Sequence, residues 1–356
     1  MNYRITGTGS CIPDITKKNS DFLQNKFLDA DGNNIQSSNA EIIQKFKSIT
    51  GIFERRYAPD IVNSSDLAAK AANIAINDSK LDQETLDYII VAHNTGDISC
   101  GSGQVDILPS IASKVKAKLK IKSPNCVAYD IICGCPGWVE GIIQAKSFIK
   151  SGMAKKCLVI GCDTLSRILD ENDRDSMIYA DGSGAIILEL DNSYDGGILS
   201  HKSATYTYEG ENDFIFYGSS YDNDSKAMDD QKYIKMHGRK VYEFALKNVP
   251  LAMKLCFDEA NCKIENLKKI FIHQANKKMD DAIIKRFFRL YKLSAPNNIL
   301  PMNIEEFGNS SVATIPTLFD LVRKNNYKGH KISKGDIIMF ASVGAGMNIN
   351  AITYKV

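Results

Sequence analysis

Short apolar runs, each closed by a polar or glycine-bearing stretch, recur along this chain and read as buried strands. They fall at 88–93, 126–130, 157–161 and 185–189 in the first half, and at 270–273, 337–341 and 348–354 in the second. Between them, apolar positions return at three- and four-residue spacing. That spacing predicts helices over 65–78, 138–150, 242–259, 278–289 and 312–324. Strands alternating with helices predict a layered α/β fold.

The order repeats itself. A helix from Ser65 precedes residues 81–87 and a strand ending at His93, and a helix from Val241 precedes residues 261–268 and a strand ending at His273. The runs at 158–161 and 337–341 form a second related pair. This predicts a duplicated α/β unit, with halves 1–193 and 194–356. Two polar stretches, 23–48 and 209–232, break the pattern and read as insertions. Long polar loops lie at the surface and often border a site.

Composition narrows the class. The chain has 356 residues, 44% hydrophobic and 24% charged, enough for a sizeable core and too apolar for disorder. A net charge of +2 gives no bulk attraction to nucleic acid or membrane. Nine scattered cysteines suit a reducing cytoplasm better than a disulfide scaffold. Residues 1–5 lack the apolar core of a signal peptide, and no run approaches the roughly 20 residues that span a bilayer.

The first candidate for chemistry is Cys135, where the run Asp130-Ile131-Ile132 meets Cys133-Gly134-Cys135-Pro136-Gly137-Trp138. Pro136 suits a first helical position. A sulfur at a helix start faces unpaired N–H groups and the positive dipole end, which favour thiolate. A buried core cysteine is the plain alternative; the strand-turn-helix setting favours a nucleophile. His273, in His273-Gln274-Ala275-Asn276, follows a strand and precedes a helix, where α/β proteins hold ligands. His93 is its counterpart in the repeat, while His201, His237 and His330 lie in less suggestive places. Asn309, in Gly308-Asn309-Ser310-Ser311, reads either as a turn or cap residue or as an uncharged donor to a developing oxyanion. In Ser342-Val343-Gly344-Ala345-Gly346 the glycines allow close backbone approach, so the N–H of Ala345 could join that of Cys135 in an oxyanion hole. Asp181-Gly182-Ser183-Gly184 lacks the ending of a phosphate loop and reads as a structural turn. Cys133 and Cys135 have no second Cys/His pair at zinc spacing, so no metal is expected.

Gly134-Cys135-Pro136-Gly137, His273-Gln274-Ala275-Asn276 and Gly308-Asn309-Ser310-Ser311 resemble, in that order, three motifs of the ketoacyl-ACP synthase III family. Thr50-Gly51-Ile52 and Asp181-Gly182-Ser183-Gly184 also resemble family motifs, and the likeness spans nearly the whole chain outside the two insertions. The resemblance implies a thiolase-like fold in α-β-α-β-α layers, with Cys135, His273 and Asn309 as the catalytic set. It implies acyl transfer from a thioester, acyl-CoA or acyl-ACP, to Cys135. Decarboxylative Claisen condensation with malonyl-ACP would then give a 3-oxoacyl thioester, with His273 and Asn309 donating to the enolate oxygen. No cofactor or metal is implied beyond these CoA and acyl carrier protein thioesters.

The family's other features fall on further residues. Arg174 matches a basic CoA-contacting position. Leu108 and Trp138 stand at the acyl pocket, which the family shares across a homodimer interface. The aromatic residue that stacks on adenine should fall near Lys45. Arg239, Lys277 and Lys278, with Lys240 and Lys247, would dock acidic acyl carrier protein. Residues 341–346 lack the second cysteine of thiolases, Asn309 stands where elongating ketosynthases have a second histidine, and no glutamate in the first half suits a hydroxymethylglutaryl-CoA synthase. The changes around Lys45, Leu108 and Trp138 keep three alternatives open. One is a specialised ketosynthase joining two fatty-acid-derived chains, as in dialkylresorcinol or related polyketide pathways. The others are a non-decarboxylating acyltransferase and a non-catalytic partner of a ketosynthase.

Overall fold

Along the strand Lys156–Thr164 successive side chains enter two different cores. Cys157 and Val159 pack with Trp138 and Phe340, whereas Leu158 and Ile160 pack with Ala71 and Val115. The strand Asp181–Leu190 alternates in the same way, Ile186 and Leu188 to one side and Ala185 and Ile187 to the other. Side chains of a strand point to opposite faces in turn, so an unbroken apolar run needs cover on both faces. That is why these runs carry no polar alternation.

A computed structural model describes residues 2–222, 231–325 and 327–356. Its larger sheet runs Tyr3–Cys11, Asp181–Leu190, Lys156–Thr164, Tyr88–Ala92, Val127–Ile131. The first two pairings are antiparallel and the last two parallel. The second sheet runs Gly197–Thr205, Asn348–Lys355, Ile337–Gly344, Leu267–Ile272, again two antiparallel pairings followed by a parallel one. The same order and directions therefore occur twice, with the larger sheet adding a fifth strand. All strands of the first sheet precede residue 193 and all strands of the second follow it.

Helices Ser64–Ser79 and Ile111–Lys118 cover the outer face of the first sheet. Gly238–Glu259 and Lys277–Arg289 cover the outer face of the second. Gly137–Ser151 and Thr314–Asn325 lie between the sheets, which completes the expected α-β-α-β-α layering. The central core draws on both halves, from Tyr3 to Tyr354. Its centre is edge-to-face aromatic packing: Trp138 on Phe340 at 5.6 Å, Phe319 on Phe340 at 5.1 Å and Phe271 on Phe319 at 5.4 Å between ring centroids.

Three expectations change. Pro136 is the residue before the helix, with φ −66° and ψ −11°, and the helix begins at Gly137. Asp181-Gly182-Ser183-Gly184 is the start of a strand and no turn, because Asp181 pairs with Thr164 and Ser183 with Cys162. Its polar first residue is satisfied by neighbours: the Asp181 carboxylate accepts the Ala58 N–H at 2.7 Å, the Ser166 N–H at 2.9 Å and the Ser166 hydroxyl at 2.6 Å. Both insertions also carry regular structure among the described residues. The first carries the helix Asn39–Thr50, started by a reciprocal Ser38–Glu41 capping box. The second contains the strand Ile215–Gly218, which pairs as a hairpin with Tyr233–Met236 just after it, and residues 223–230 of it lie outside the described residues. Lys235 fastens this hairpin. Its buried ammonium lies 2.6 Å from Asp170 and 3.2 Å from Asp173.

Gly161 is the tightest point between the first sheet and the central layer. A Cβ there would meet the Val312 carbonyl oxygen at 2.3 Å. We expect Gly161→Ala to cost about 1–3 kcal/mol of stability, read by urea unfolding, since the backbone must shift to admit one methyl group. An unchanged unfolding midpoint would contradict this reading of the contact.

Candidate active site

Two glycine-bearing loops meet at the ends of the sheets. Gly134 takes φ +64°, and a Cβ there would stand 2.8 Å from the Ala345 nitrogen. A Cβ on Gly344 would stand 2.7 Å from the Cys135 nitrogen. Only residues without side chains let these backbones approach so closely. The contact sets Cys135, from the first half, beside Ala345, from the second.

His273 follows the strand Leu267–Ile272, and its N–H donates to the Ala341 carbonyl at 2.9 Å. The neighbouring motif residues hold the turn. Gln274 donates to the Pro301 carbonyl at 3.0 Å and accepts from the Asn303 and Ile304 N–H groups at 3.0 and 3.1 Å. Asn276 caps the helix Lys277–Arg289 by accepting the Met279 N–H at 3.1 Å. The His273 ring is 3% exposed and its Nδ1 has no partner among the described residues. Burial pushes the imidazole down to about 4, against a smaller upward pull from the Ser311 backbone. The ring is therefore neutral at pH 7.

Asn309 is clamped by its own backbone. Its N–H donates to the Ile178 carbonyl at 3.0 Å, and its carbonyl accepts the Ala180 N–H at 2.9 Å. Its side-chain oxygen accepts the Ser311 N–H at 2.8 Å. That bond fixes the amide's orientation and leaves its NH2 as the group available to the cavity. Asn309 is thus both a turn residue and a presented donor.

Cys135, His273, Asn309, Arg174 and Ala345 line one cavity of about 560 Å³. Much of the remaining wall is apolar. Ile35, Ile42, Phe46 and Ile49 come from the first insertion and its helix, and Ile215, Ile234 and Met236 from the hairpin. Lys45 also lines it, where the family resemblance called for an aromatic residue. Cys135 keeps a strip of surface facing this cavity. The surrounding packing nevertheless pushes its thiol up to about 12, with Asp163 and Cys133 adding to the rise and a Ser311 hydrogen bond opposing it. This burial opposes the expected thiolate.

Other expectations separate. Trp138 is not at an acyl pocket; it is 1% exposed and packs on Phe340 in the central core, because the first turn of its helix faces the sheets. Leu108 is 90% exposed and does not line this chain's cavity. Arg239, Lys240, Lys247 and Lys278 are surface residues, and Lys277 is paired with Glu305 at 2.6 Å. None of the five lines the cavity, although Gly238, Val241 and Tyr242 beside them do. His93 is buried, with its Nε2 3.0 Å from Asp130 and its Nδ1 accepting the Gly96 N–H at 2.9 Å. Among the described residues no cluster of three or more His, Cys, Asp or Glu is placed to hold a metal, and no helix is long and apolar enough to cross a membrane.

Sequence reasoning missed the groups around the sulfur. Ser311 donates to the Cys135 sulfur at 3.3 Å, and Asn94 and Asp163 stand behind it. Ser311 was visible as part of a motif, but its left-handed backbone, φ +53°, has no signature in a serine.

Comparisons with known proteins identify the family. Residues 129–207 match the family model described as 3-oxoacyl-[acyl-carrier-protein] synthase III, and residues 257–356 match its C-terminal counterpart. The chain is 32% identical to a β-ketoacyl-[acyl-carrier-protein] synthase III of Prochlorococcus marinus, over 98% of this chain and 95% of that one. It is 32% identical to the protein of the same name from Porphyra purpurea, over 100% and 99% of the two chains. The crystal structure of 3-oxoacyl-[acyl-carrier-protein] synthase III from Aquifex aeolicus superposes with a TM-score of 0.81 at 27% identity, covering 99% of this chain and 100% of that one. That fold is thiolase-like, as the sequence motifs implied. With both family models matched in order and full-length relatives at this identity, the chain belongs to the 3-oxoacyl-[acyl-carrier-protein] synthase III family.

Proposed function

We propose that this protein is a condensing acyltransferase that carries an acyl group on Cys135 and joins it to a malonyl thioester. The observation that supports it most is the meeting of three uncharged groups in one cavity: the Cys135 thiol, the neutral His273 ring and the outward NH2 of Asn309. In the first half-reaction Cys135 sulfur attacks the carbonyl of an acyl-CoA or acyl-ACP, and the donor's thiol departs. The N–H groups of Cys135 and Ala345 serve the developing oxyanion. In the second, malonyl-ACP loses CO₂ and negative charge moves to its thioester oxygen as an enolate. His273 and Asn309 donate to that oxygen, and the enolate carbon attacks the acyl-enzyme to release a 3-oxoacyl thioester. Neutral donors suit this step, because they bind charge that exists only while the reaction proceeds.

The protein would work without metal or resident cofactor. Arg174, at the cavity, is suited to a CoA phosphate, and Arg239, Lys277 and Lys278 to acidic carrier protein. A homodimer is the proposed assembly, with Leu108 reaching toward the partner's acyl pocket. Residues 1–193 and 194–356 are proposed as the duplicated units, in keeping with their matching strand order. The cytoplasm is the proposed location. A second reading concerns the substrate. The apolar wall that Ile42, Phe46, Ile215 and Met236 contribute favours a medium or long acyl chain over acetyl, hence a specialised ketosynthase joining two chains.

Intact-protein mass spectrometry across a panel of acyl-CoA and acyl-ACP donors tests both readings. We expect one acyl mass on Cys135, lost in Cys135→Ala, with longer chains loading faster than acetyl. No adduct from any donor would sink the condensing reading; acetyl loading fastest would sink the second. His273→Ala and Asn309→Ala should keep acylation and slow malonyl decarboxylation by roughly 10²-fold or more. Loss of acylation alone would refute these roles, and transfer to alcohol acceptors without decarboxylation would identify a plain acyltransferase.

His273 also makes stability depend on pH. An unfolded imidazole takes up a proton near 6.5, the buried one only near 4. Between those values the unfolded chain binds more protons, so this contribution is complete above pH 6.5 and is lost as pH falls toward 4. Urea unfolding at pH 7.5 and 4 should show His273→Gln losing less stability over that range than wild type, by on the order of 3 kcal/mol. Equal losses would contradict a buried neutral ring.

A further inference from the structure

Burial leaves Cys135 a thiol at rest, so something beside it must favour departure of its proton. A hydroxyl is in contact with the sulfur. Ser311 Oγ lies 3.3 Å from Cys135 Sγ. The Asn94 side-chain nitrogen donates to Ser311 Oγ at 2.8 Å and to Asp163 Oδ2 at 2.6 Å. The Asn94 N–H donates to Asp163 Oδ1 at 2.8 Å. Both side-chain protons of Asn94 are thus committed, and Ser311 Oγ accepts one of them. Ser311 keeps its own proton to donate.

We propose that Ser311 is a catalytic hydroxyl of the acyl-transfer step, with Asn94 and Asp163 as positioning residues that aim its proton at the Cys135 sulfur. A hydroxyl donating to sulfur stabilises thiolate more than thiol, because the bond becomes charge-assisted as the S–H proton leaves, and that proton ends on the donor's departing thiol. The same residue binds the rest of the site: its N–H holds the Asn309 oxygen, and its backbone contacts His273. The other titratable groups facing the sulfur do not supply this help. Asp163 and Cys133 oppose a negative sulfur, Tyr179 is buried and neutral, and His273 is neutral. The Asp163 carboxylate, which the Ser311 side chain also holds down, competes with the sulfur for this proton.

The proposal rests on Cys135 as the nucleophile, and the test separates the two. Ser311→Gly removes the hydroxyl together with its Cβ; glycine adopts φ +53° freely and retains the backbone groups that hold Asn309 and His273. The rate of Cys135 alkylation by iodoacetamide is followed from pH 6 to 10 by mass spectrometry, beside acyl-CoA loading. We expect Ser311→Gly to slow alkylation roughly tenfold at neutral pH and to move its pH profile upward, with a matching loss in acylation. Asn94→Ala, which frees the hydroxyl to rotate, should shift the profile in the same direction by less. An alkylation profile unchanged or lowered in folded Ser311→Gly would mean the proton belongs to Asp163 and would overturn the proposal, even with Cys135 acylated normally in wild type. Should Ser311→Gly not fold, an unshifted Asn94→Ala profile would overturn it equally. A wild type that never acylates would instead refute the condensing reading, while the alkylation profiles still decide this one.

Discussion

The packing of Trp138 on Phe340 joins the helix after the nucleophile to a central strand of the opposite sheet. Phe319 and Phe271 extend the contact to the second central helix and its neighbouring strand. Every residue in this cluster belongs to the layer that both sheets share. Close-packed interiors do not slide, since each displacement opens a void or forces a clash. Once the aromatic cluster is seated, the loops beyond it have no freedom to separate. Gly134 must meet Ala345, Gly344 must meet Cys135, and Gly161 must lie beneath Val312. The site is a consequence of how the two sheets are stacked.

That stacking also sets the chemical character of the site. Burial penalises charge, and here it acts on Cys135 and His273 in the direction of neutrality. The thiol of Cys135 is pushed up and the imidazole of His273 is pushed down. A cavity that is neutral at rest and lined with oriented donors stabilises charge only as it forms. The same physics makes activation of the sulfur a local problem, solved by whichever proton donor touches it.

The two insertions do different work from the core. Their backbones are fastened independently, the first by a capped helix and the second through buried Lys235 between Asp170 and Asp173. A buried ammonium deprived of its carboxylates would be costly, so this hairpin is held against the loop that carries Arg174. Its apolar residues then form cavity wall. The attached segments thus supply much of the apolar wall, while Cys135, His273 and Asn309 come from the stacked sheets and their loops.

Much of this was legible in the chain itself. Buried strands read as unbroken apolar runs because both of their faces are covered, and the duplicated order of elements follows from the same local patterns. Cys135, His273 and Asn309 stood out because each sits at a junction between elements with glycine or asparagine beside it. What the sequence could not carry was any property that depends on residues distant along the chain. Whether Trp138 enters a pocket or the core depends on which side of its helix meets Phe340, in the opposite half of the chain. Whether Asp181 begins a turn or a strand depends on Thr164 across the sheet. Whether Cys135 rests as thiol or thiolate depends on how completely other elements enclose it. Local spacing determined the elements and nominated the reacting groups; tertiary packing decided their burial, their protonation and the serine that touches the sulfur.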